Sequence, residues 1–503
     1  MSLSDDIRYL IEYDIFRVKR LLGEIVGVLP RSFDARILLG DTHLRALDFD
    51  GAITQYQAAR QIAPQSRLPV AKLALCALYT GQNEEALRGF EILHESAPDE
   101  QSLTLAALML HRLGRLDESV QRYRRVTATA AESSAYLSLA LQGEIRALRA
   151  RGLIAEADQQ SRRLMQRVAP RPDAASELHR SAASYDFHEW SSVADKGRLS
   201  RLLAHAARHF GATFRFPAGF VLPEEREAFM AYAAAQPEGT IYIVKPRGGQ
   251  GGQSIRLTDQ PLMALEAEHA VVQRYVDRPY LVDGRKAHMR VYCLITSVDP
   301  LRFYIYNNGI VRFAPRPYER GDGWLDQADM HVTNTALHRN NPLLVISQDP
   351  AVENAGHVWS MRAYLRRIGA DGHDPEAIFR SLAHLVGQFV LVLRDDGFFT
   401  RQLALGSDRS YGAKLFGFDV LLDADAQPWL IEVQRSPAWG GQPLAKRING
   451  EVAATIARMV SGPLGGPEDV AIADEAALTA REAAVEGLNR GGFIRIAVGR
   501  PGV

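Results

Sequence analysis

The chain has 503 residues, too many for one ordinary hydrophobic core, and this length predicts two or three domains. Apolar residues make up 47% and charged residues 23%, which are the proportions of a soluble globular protein. Lysine plus arginine and aspartate plus glutamate both number 59. This balance argues against a nonspecific nucleic-acid binder, although a local basic groove remains compatible with it.

Cysteine usage and hydropathy indicate the compartment. The two cysteines, Cys76 and Cys293, each lie in an apolar run and predict reduced, buried thiols rather than a disulfide framework. No apolar run has the length of a membrane span, and the acidic start Ser4-Asp5-Asp6 is unlike a signal peptide. We therefore expect a cytoplasmic protein with neither a membrane nor a nucleic acid as its partner.

The first third of the chain contains a repeat. Residues 7–28 have apolar positions at helical spacing and predict one amphipathic helix. Beyond them, small and aromatic residues fall at the offsets of a tetratricopeptide repeat and recur 34 residues later. The first copy comprises Leu39, Gly40, His43, Ala52, Tyr56, Ala59 and Pro64; the second comprises Leu73, Ala74, Ala77, Ala86, Phe90, Leu93 and Pro98; a third is seen at Gly114, Ser119, Tyr123 and Val126, and a degenerate fourth at Gly152 and Ala157.

Such repeats cannot bury their apolar faces alone, so they predict a stacked helical domain over residues 1–169. Its functional interpretation is a concave docking surface for a peptide or protein, and the alternative is a helical spacer or dimerisation module. Pro170-Arg171-Pro172 then begins a polar linker, 170–195.

Two acids stand in an apolar hairpin near the end of the chain. Gly417 to Leu422 and Pro428 to Val433 predict two strands joined by an acidic turn. Asp419 and Glu432 are the acids within those strands, and Gln434 lies two residues beyond Glu432, on the same face. Hard oxygen ligands of this kind suit Mg²⁺ held between a protein and nucleotide phosphates. The alternative is a hairpin whose carboxylates simply reach solvent.

A glycine-rich loop follows a short strand in the middle of the chain. Ile241 to Val244 delivers Lys245, and glycines follow at Gly248, Gly249, Gly251 and Gly252. Glycines let backbone N–H groups turn toward phosphate oxygens, and the lysine adds a point charge. Because the lysine precedes the glycines, this is not a Walker loop. Without its neighbours, the segment is equally well a flexible hairpin.

Further elements are expected between these two segments. Val271 to Val276 and Met289 to Ile295 predict strands, separated by a turn at Asp283 to Lys286. Leu301 to Phe313 predicts a hairpin with Asn307-Asn308-Gly309 at its turn. We expect residues 342–398 to be mostly helical, and 468–489 to form a charged, alanine-rich helix of structural role.

Five stretches, read together, carry a family resemblance. They are IYIVKPRGGQGGQSI, VVQRYVDRPYLVDGRKAHMRVY, YIYNNGIVRFA, HVTN and FGFDVLLDADAQPWLIEVQRSP. In this order they resemble tubulin tyrosine ligase-like enzymes over roughly residues 196–445. Those enzymes are ATP-grasp ligases that join an amino acid to a protein carboxylate. The resemblance implies a multidomain protein, in which an all-α tetratricopeptide-type helical repeat array precedes an α+β ATP-grasp fold at 196–460 and a helical tail at 461–503.

The resemblance also implies roles for individual residues. Those expected at the nucleotide are Lys245, the four glycines Gly248, Gly249, Gly251 and Gly252, Gln273, Tyr275, Val276, Lys286 and Thr333. Those expected at the reacting groups are Lys286, Arg290, Arg312, His331 and Asn334. The expected Mg²⁺ ligands are Asp419, Glu432 and Gln434.

Two positions depart from the family pattern. His288 stands where the family has an aspartate, and Gln434 stands where it has an asparagine. The first departure indicates either a different substrate or weakened catalysis. The second retains the amide but lengthens the side chain by one methylene, which shifts the geometry of a Mg²⁺ ligand.

The expected reaction is ATP-dependent ligation of a free amino acid to a protein or peptide carboxylate through an acyl phosphate, with ATP and Mg²⁺ bound. The acceptor is expected to dock on the repeats. One alternative is a catalytically impaired nucleotide-binding scaffold whose repeats bind a protein partner. Another is an ATP-grasp ligase that acts on small peptides.

Overall fold

The computed structural model describes residues 15–46, 48–132, 134–168, 196–247, 255–267, 269–404, 414–434, 441–464 and 475–496. The predicted linker and the glycines that follow Lys245 lie outside these ranges. The helices are α1 Ile15–Val28, α2 Phe33–Arg45, α3 Phe49–Ile62, α4 Arg67–Tyr79, α5 Asn83–Ser96, α6 Glu100–Arg112, α7 Leu116–Thr129, α8 Ala135–Ala150, α9 Ile154–Val168, α10 Lys196–Phe210, α11 Arg226–Ala234, α12 Pro261–Ala264, α13 Ala328–His331, α14 Met361–Ala370, α15 Pro375–Asp395, α16 Phe398–Ala404, α17 Pro443–Ser461 and α18 Glu475–Asn489.

The predicted repeats form an array of helix pairs. After α1, the pairs α2/α3, α4/α5, α6/α7 and α8/α9 follow one another, and each helix packs on the next. The turns inside the later pairs contain Gly81, Gly114 and Gly152, whose φ angles of 75°, 74° and 76° favour glycine. At Gly40, an added Cβ would lie 2.5 Å from the ring of Tyr56, so the small residue permits the close approach of α2 and α3. The helical repeat array is therefore confirmed.

Two antiparallel sheets form the second half of the chain, as expected for the α+β fold. The smaller sheet has the order β1 Gly219–Leu222, β4 Ala270–Arg274, β2 Tyr242–Pro246 and β3 Arg256–Thr258. The larger sheet has the order β10 Pro428–Gln434, β9 Lys414–Leu422, β6 Arg285–Val298, β7 Leu301–Phe313 and β11 Phe493–Arg495, while β5 Leu281–Val282 pairs with β6 and β8 Val358–Ser360 pairs with β7.

The long central strand β6 divides its side chains between two faces. Ala287, Met289, Val291 and Cys293 point into the main core, where α10, α14 and α15 pack. Because side chains alternate along a strand, the intervening residues point to the opposite face. That face begins with Lys286, His288 and Arg290 and continues with Tyr292 and Leu294, which pack in a second hydrophobic cluster. The fold thus places apolar and charged residues from the start of the same strand on opposite sides of the sheet.

Asn307-Asn308-Gly309 is not a turn, and the predicted hairpin is wrong. β7 is one continuous strand through these residues, and the hairpin turn lies at its start, beside Asp299-Pro300. The register shifts here: Val291 faces Gly309, whereas Cys293 faces Ile305, which makes a bulge. A Cβ at Gly309 would lie 2.3 Å from the Arg290 carbonyl oxygen. Glycine is therefore needed for close backbone contact.

Two other predicted elements differ from the structure. The turn before β6 comprises only Asp283 and Gly284, with φ angles of 50° and 71°, so Lys286 belongs to the strand. Residues 342–357 contain no helix, because residues such as Ser347 and Asp349 hydrogen-bond to nearby backbone groups instead. Helical structure in this region begins only at Met361.

Helix α15, 21 residues long, is apolar enough by length and composition to cross a membrane, although no apolar run of that length is predicted from the sequence. Its apolar residues, among them Leu382, Val386 and Phe389, pack into the main core against the larger sheet. In this fold α15 is therefore a core helix.

The C-terminal segment packs on the larger sheet. The buried Glu486 of α18 accepts hydrogen bonds from Thr296, Arg302 and Tyr304, and β11 extends the sheet beside β7. The contacts of this helix therefore agree with the structural role expected for it, since they attach it to the larger sheet.

The repeat array is fixed to the second half of the chain by its last helix pair. Leu137, Leu141 and Leu164 pack against Ala453 and Ala457 of α17. At the end of α17, the buried guanidinium of Arg149 donates from Nη1 to the Val460 carbonyl (3.2 Å) and from Nη2 to the Gly462 carbonyl (2.6 Å). A cation at a helix C-terminus is favourable, and here it also satisfies buried carbonyl groups.

We expect the Arg149→Met substitution to lower the free energy of unfolding by about 3 kcal/mol, because it leaves two carbonyl groups without a donor in a buried interface. Urea unfolding followed by circular dichroism measures the change. Arg151→Met is the control, since Arg151 forms an exposed ion pair with Asp117 and should cost less than about 0.5 kcal/mol. Equal losses in the two variants would contradict the anchoring role of Arg149.

Candidate active site

Side chains from both sheets meet in a polar cleft. Lys286, His288 and Arg290 occupy alternate positions of β6 and therefore share one face. Asp419 of β9 lies opposite Arg290 in the strand pairing, and Glu432 of β10 lies opposite Asp419. Arg312 of β7 lies opposite His288. Lys245 of the smaller sheet completes the cleft. Burial lowers its pKa, and it lies close enough to Glu432 and Asp419 for their negative charges to oppose that effect.

Arg290 and Asp419 form a buried, two-point ion pair. The Arg290 Nε donates to Asp419 Oδ1 at 2.5 Å and Nη2 donates to Oδ2 at 3.0 Å. Burial by itself would raise the pKa of Asp419, but the guanidinium lowers it below its usual value; burial would lower the pKa of Arg290, and the carboxylate raises it. Both groups therefore remain charged at neutral pH.

Lys286 is a buried cation held by neutral groups. Its Nζ donates to the Tyr275 hydroxyl at 2.8 Å and to the His331 carbonyl oxygen at 3.0 Å, and lies 4.4 Å from the Tyr275 ring centroid. Within the described ranges no carboxylate pairs with it. Burial and the nearby Lys245 lower its pKa to about 7. An anion bound here would restore the charged form.

Lys245 has a similar neutral partner. Its Nζ donates to Gln273 Oε1 at 2.7 Å. Burial lowers the pKa of Lys245 to about 8, although Glu432 and Asp419 act in the opposite direction. Its side chain still reaches solvent in part, which is the position expected for a group that lines an open cleft.

His288 is neutral and belongs to the same cleft. Its Nδ1 lies 2.5 Å from Thr333 Oγ1, and its Nε2 lies 3.9 Å from Asp419 Oδ1. The pKa of His288 is lowered to about 3, chiefly by burial; Asp419 acts to raise it, and Arg312, Arg290 and Lys286 act to lower it. The imidazole therefore adds no charge beside the Arg290–Asp419 pair at neutral pH.

His331 and Asn334 are already engaged by neighbouring groups. His331 Nε2 lies 2.7 Å from the Trp324 carbonyl oxygen and Nδ1 lies 3.0 Å from the Tyr275 hydroxyl, so both ring nitrogens have partners. Burial lowers the pKa of His331 to about 4. The Asn334 side chain accepts a hydrogen bond from the Ala336 backbone. His331 thus contacts the group of residues around Lys286, whereas no contact of the Asn334 side chain with that group is observed in the described part of the chain.

Arg312 is the cation of the cleft with the greatest freedom to bind a ligand. Neither a hydrogen bond nor an ion pair engages its guanidinium in the described part of the chain. Burial lowers its pKa, and Arg290 lowers it further. An arginine remains protonated under such conditions, so it presents up to five donors to a bound anion.

The carboxylates fit a metal that is shared with a ligand. No group of three or more His, Cys, Asp or Glu that could hold a metal occurs among the described residues. Asp419 and Glu432 are nonetheless direct neighbours across two strands, with Gln434 opposite Gly417 two pairs further along. Mg²⁺ is usually bound by one or two carboxylates together with substrate phosphates. The predicted ligands therefore suit Mg²⁺ bound with phosphate, and not an all-protein cage.

The structure brings together most of the residues that the sequence predicts. Val276 follows the end of β4 and is partly exposed at the edge of the cleft. Gln273 and Tyr275 are predicted to contact the nucleotide through backbone groups, and their side chains bind the two lysines. Trp324, whose carbonyl fixes His331, was not predicted as a site residue, because nothing in its local sequence indicates this contact.

The two sheets with a cation-rich cleft between them define an ATP-grasp type of protein, and the helical repeats precede this part in the chain. The chain matches the tubulin-tyrosine ligase family over residues 175–461, more than half of its length, and it belongs to that family.

Named relatives match the chain over about half of its length. Tubulin polyglutamylase TTLL13 of Mus musculus is 33% identical over 261 residues, covering 50% of this chain and 32% of that protein. Tubulin polyglutamylase TTLL5 of Homo sapiens is 34% identical over 236 residues, covering 46% and 18%. Tubulin monoglutamylase TTLL4 of Mus musculus is 30% identical over 283 residues, covering 55% and 23%. The chain thus spans a third or less of these relatives.

We expect the affinity of the cleft for a nonhydrolysable ATP analogue to fall as pH rises from 7 to 9. In the free protein the Lys286 ammonium, with its pKa lowered to about 7, loses its proton in this range, and Lys245 follows at about 8. Polyphosphate favours both charged forms, so binding above pH 7 must take up protons. Calorimetry in buffers of different ionisation enthalpy measures the affinity and the proton uptake.

The matched control is Lys286→Met. Subtracting its pH profile from that of the wild-type protein removes the titration of the nucleotide itself. The difference should be largest near pH 6 and shrink above pH 7. A difference that is constant with pH would contradict the assignment of this titration to Lys286.

Proposed function

We propose that this protein is an ATP-dependent ligase that adds an amino acid to a protein or peptide carboxylate through an acyl phosphate. The observation that carries the proposal is the charge of the cleft: among the residues that the structure describes, Lys245, Lys286, Arg290 and Arg312 face two carboxylates, Asp419 and Glu432. A polyphosphate supplies the missing negative charge. Membership of the tubulin-tyrosine ligase family supports the same conclusion.

In the first proposed step, an oxygen of the acceptor carboxylate attacks the γ-phosphorus of ATP, and the bond to the β-phosphate oxygen breaks to release ADP. This chemistry depends on positioning and charge neutralisation more than on covalent help. Lys245 and Lys286 reach the phosphates from the two sheets. Arg312 has free donors for the transferred phosphoryl group, while Arg290 holds Asp419 in place.

In the second proposed step, the amine of the incoming amino acid attacks the acyl carbon, loses a proton, and expels inorganic phosphate. Arg312 and the Nη1 group of Arg290, which the ion pair with Asp419 does not use, would stabilise the negative charge that develops on oxygen. Asp419, Glu432 and Gln434 would hold Mg²⁺, which neutralises charge on the β- and γ-phosphates. The neutral His288, fixed by Thr333, keeps this wall of the cleft without a further carboxylate.

The relatives suggest which substrates to test first. Two are named polyglutamylases and one a monoglutamylase of tubulin, so we propose glutamate as the amino acid and an acidic protein segment as the acceptor. We propose that the acceptor binds to the concave surface of the tetratricopeptide-type repeat array. We also propose that the protein acts in the cytoplasm. Its two free cysteines are buried, in accord with a reducing compartment.

The direct test combines purified protein, ATP, Mg²⁺ and each of the twenty amino acids with tubulin and with proteins captured from a lysate. ADP release and mass spectrometry of the acceptors report the reaction. ATP-dependent mass addition supports the ligase. Binding of the ATP analogue without any addition would favour a nucleotide-binding scaffold, and addition only to short peptides would favour a peptide ligase.

We expect Glu432→Gln to reduce amino-acid incorporation by at least about 100-fold, because it removes one carboxylate from the proposed metal site. Initial rates at saturating ATP measure the loss. Asp425→Asn is the control: it makes the same chemical change in the exposed turn of the same hairpin and should leave the rate unchanged. Incorporation at the wild-type rate by the Glu432→Gln protein would refute the metal assignment.

A further inference from the structure

Two side chains at the end of β4 have their polar atoms directed at lysines. Gln273 is the fourth residue of β4, and Tyr275 directly follows the strand. Both are buried, at 4% and 5% exposure. The family resemblance predicts that their backbone groups contact the nucleotide, which leaves the role of the side chains open. In the structure the side-chain acceptor atom of each is used by an ammonium group.

The orientation of the Gln273 amide is determined by its surroundings. Its Nε2 donates to the Pro217 carbonyl oxygen at 3.2 Å, and a carbonyl can only accept. The Oε1 atom must therefore be the one that faces Lys245, at 2.7 Å. This arrangement leaves the amide no other orientation that satisfies both partners. Gln273 is consequently a fixed acceptor for the Lys245 ammonium.

The proton on the Tyr275 hydroxyl is fixed in the same way. Because the Trp324 carbonyl can only accept, His331 carries its proton on Nε2, and Nδ1 is left to accept. The Tyr275 hydroxyl therefore donates to Nδ1 at 3.0 Å, and its oxygen accepts from Lys286 at 2.8 Å. With the His331 carbonyl as second acceptor, Lys286 retains one of its three N–H donors for a ligand.

We propose that the side chains of Gln273 and Tyr275 are positioning groups, which hold the ammonium groups of Lys245 and Lys286 toward the phosphates and do not themselves contact the nucleotide. This inference rests on the proposed function, in so far as the cleft must take ATP. A free lysine has a flexible four-carbon stem, and ordering it on binding costs affinity. Acceptors that fix both ammonium groups beforehand reduce that cost.

The arrangement links the two sheets through one short segment. Lys245 is in the smaller sheet and pairs with Val271 of β4, whereas Lys286 is in the larger sheet. Gln273 and Tyr275 are two residues apart, so one segment holds one lysine from each sheet. Their spacing thus fixes the separation of two phosphate-binding charges across the cleft.

Double-mutant cycles test the proposal. The variants are Gln273→Met, Tyr275→Phe, Lys245→Met and Lys286→Met, and the measurement is the dissociation constant of a nonhydrolysable ATP analogue. We expect Tyr275→Phe to weaken binding by about tenfold in the wild-type background, and by less than twofold in the Lys286→Met background. Gln273→Met should behave likewise with Lys245→Met. Crossed pairs, such as Tyr275→Phe with Lys245→Met, should be additive.

Adenosine, measured by displacement of the ATP analogue, provides a second readout that does not depend on phosphates. Positioning residues should leave its affinity unchanged, whereas residues that touch the base or ribose should weaken it as much as the ATP analogue. Tyr280→Phe is the matched control, because Tyr280 is a buried tyrosine that donates to Asp371. It should change neither affinity.

The outcomes separate this inference from the proposed function. The positioning role is overturned if the losses in affinity are additive for Tyr275→Phe with Lys286→Met, or for Gln273→Met with Lys245→Met. It is also overturned if the affinities for adenosine and for the ATP analogue fall equally. Binding with the expected cycles but without ligation overturns the ligase and leaves the positioning role intact. Absence of analogue binding to the wild-type chain overturns both. Because Gln273 and Tyr275 are tested separately, failure of one variant to fold leaves the other as a test.

Discussion

The constraint on which this site depends is the cost of holding more positive than negative charge in a partly desolvated cleft. Arg290 and Asp419 neutralise each other through two hydrogen bonds, which leaves Lys245, Lys286 and Arg312 with Glu432 as the remaining carboxylate. Neutral hydrogen-bond acceptors stabilise the two lysine ammonium groups. Their pKa values are nevertheless lowered, so these acceptors compensate only part of the desolvation of the two charges. The rest of the compensation must come from an anionic ligand.

The sequence predicted the structure correctly where a local pattern of residues corresponds to a regular element, such as a helix pair or a strand. The 34-residue period predicted the helix pairs, and two acids in apolar strands predicted the facing pair Asp419 and Glu432. It failed at Asn307-Asn308-Gly309, where a strong local turn signal was overridden by tertiary contacts: Gly309 lies against the Arg290 carbonyl, and Asn308 accepts from the Gly309 and Arg362 backbones. The partners of the lysines were missed for the same reason, since no local pattern records them.

Helix α17 connects the two halves of the chain. Near its start, Gln442 donates to Thr335, and Asn449 accepts from Tyr292 of β6, so this end is attached to the wall of the cleft. Its other end is capped by Arg149 of the repeat array. A helix with buried contacts at both ends is a rigid element that holds the two parts it contacts in a defined relative position. The last helix pair of the repeat array is therefore connected to the wall of the cleft through the buried contacts of this one helix.

His288 is the clearest departure from the family pattern, and its environment argues against loss of function as the reason. An aspartate here would stand beside Asp419, so one of two neighbouring carboxylates would need a proton or a cation. The imidazole avoids that repulsion, because burial keeps it neutral while Thr333 fixes its orientation. The cleft consequently carries one negative charge fewer than the family pattern implies. Under the proposed function, an acidic acceptor and an acidic amino acid would supply that charge.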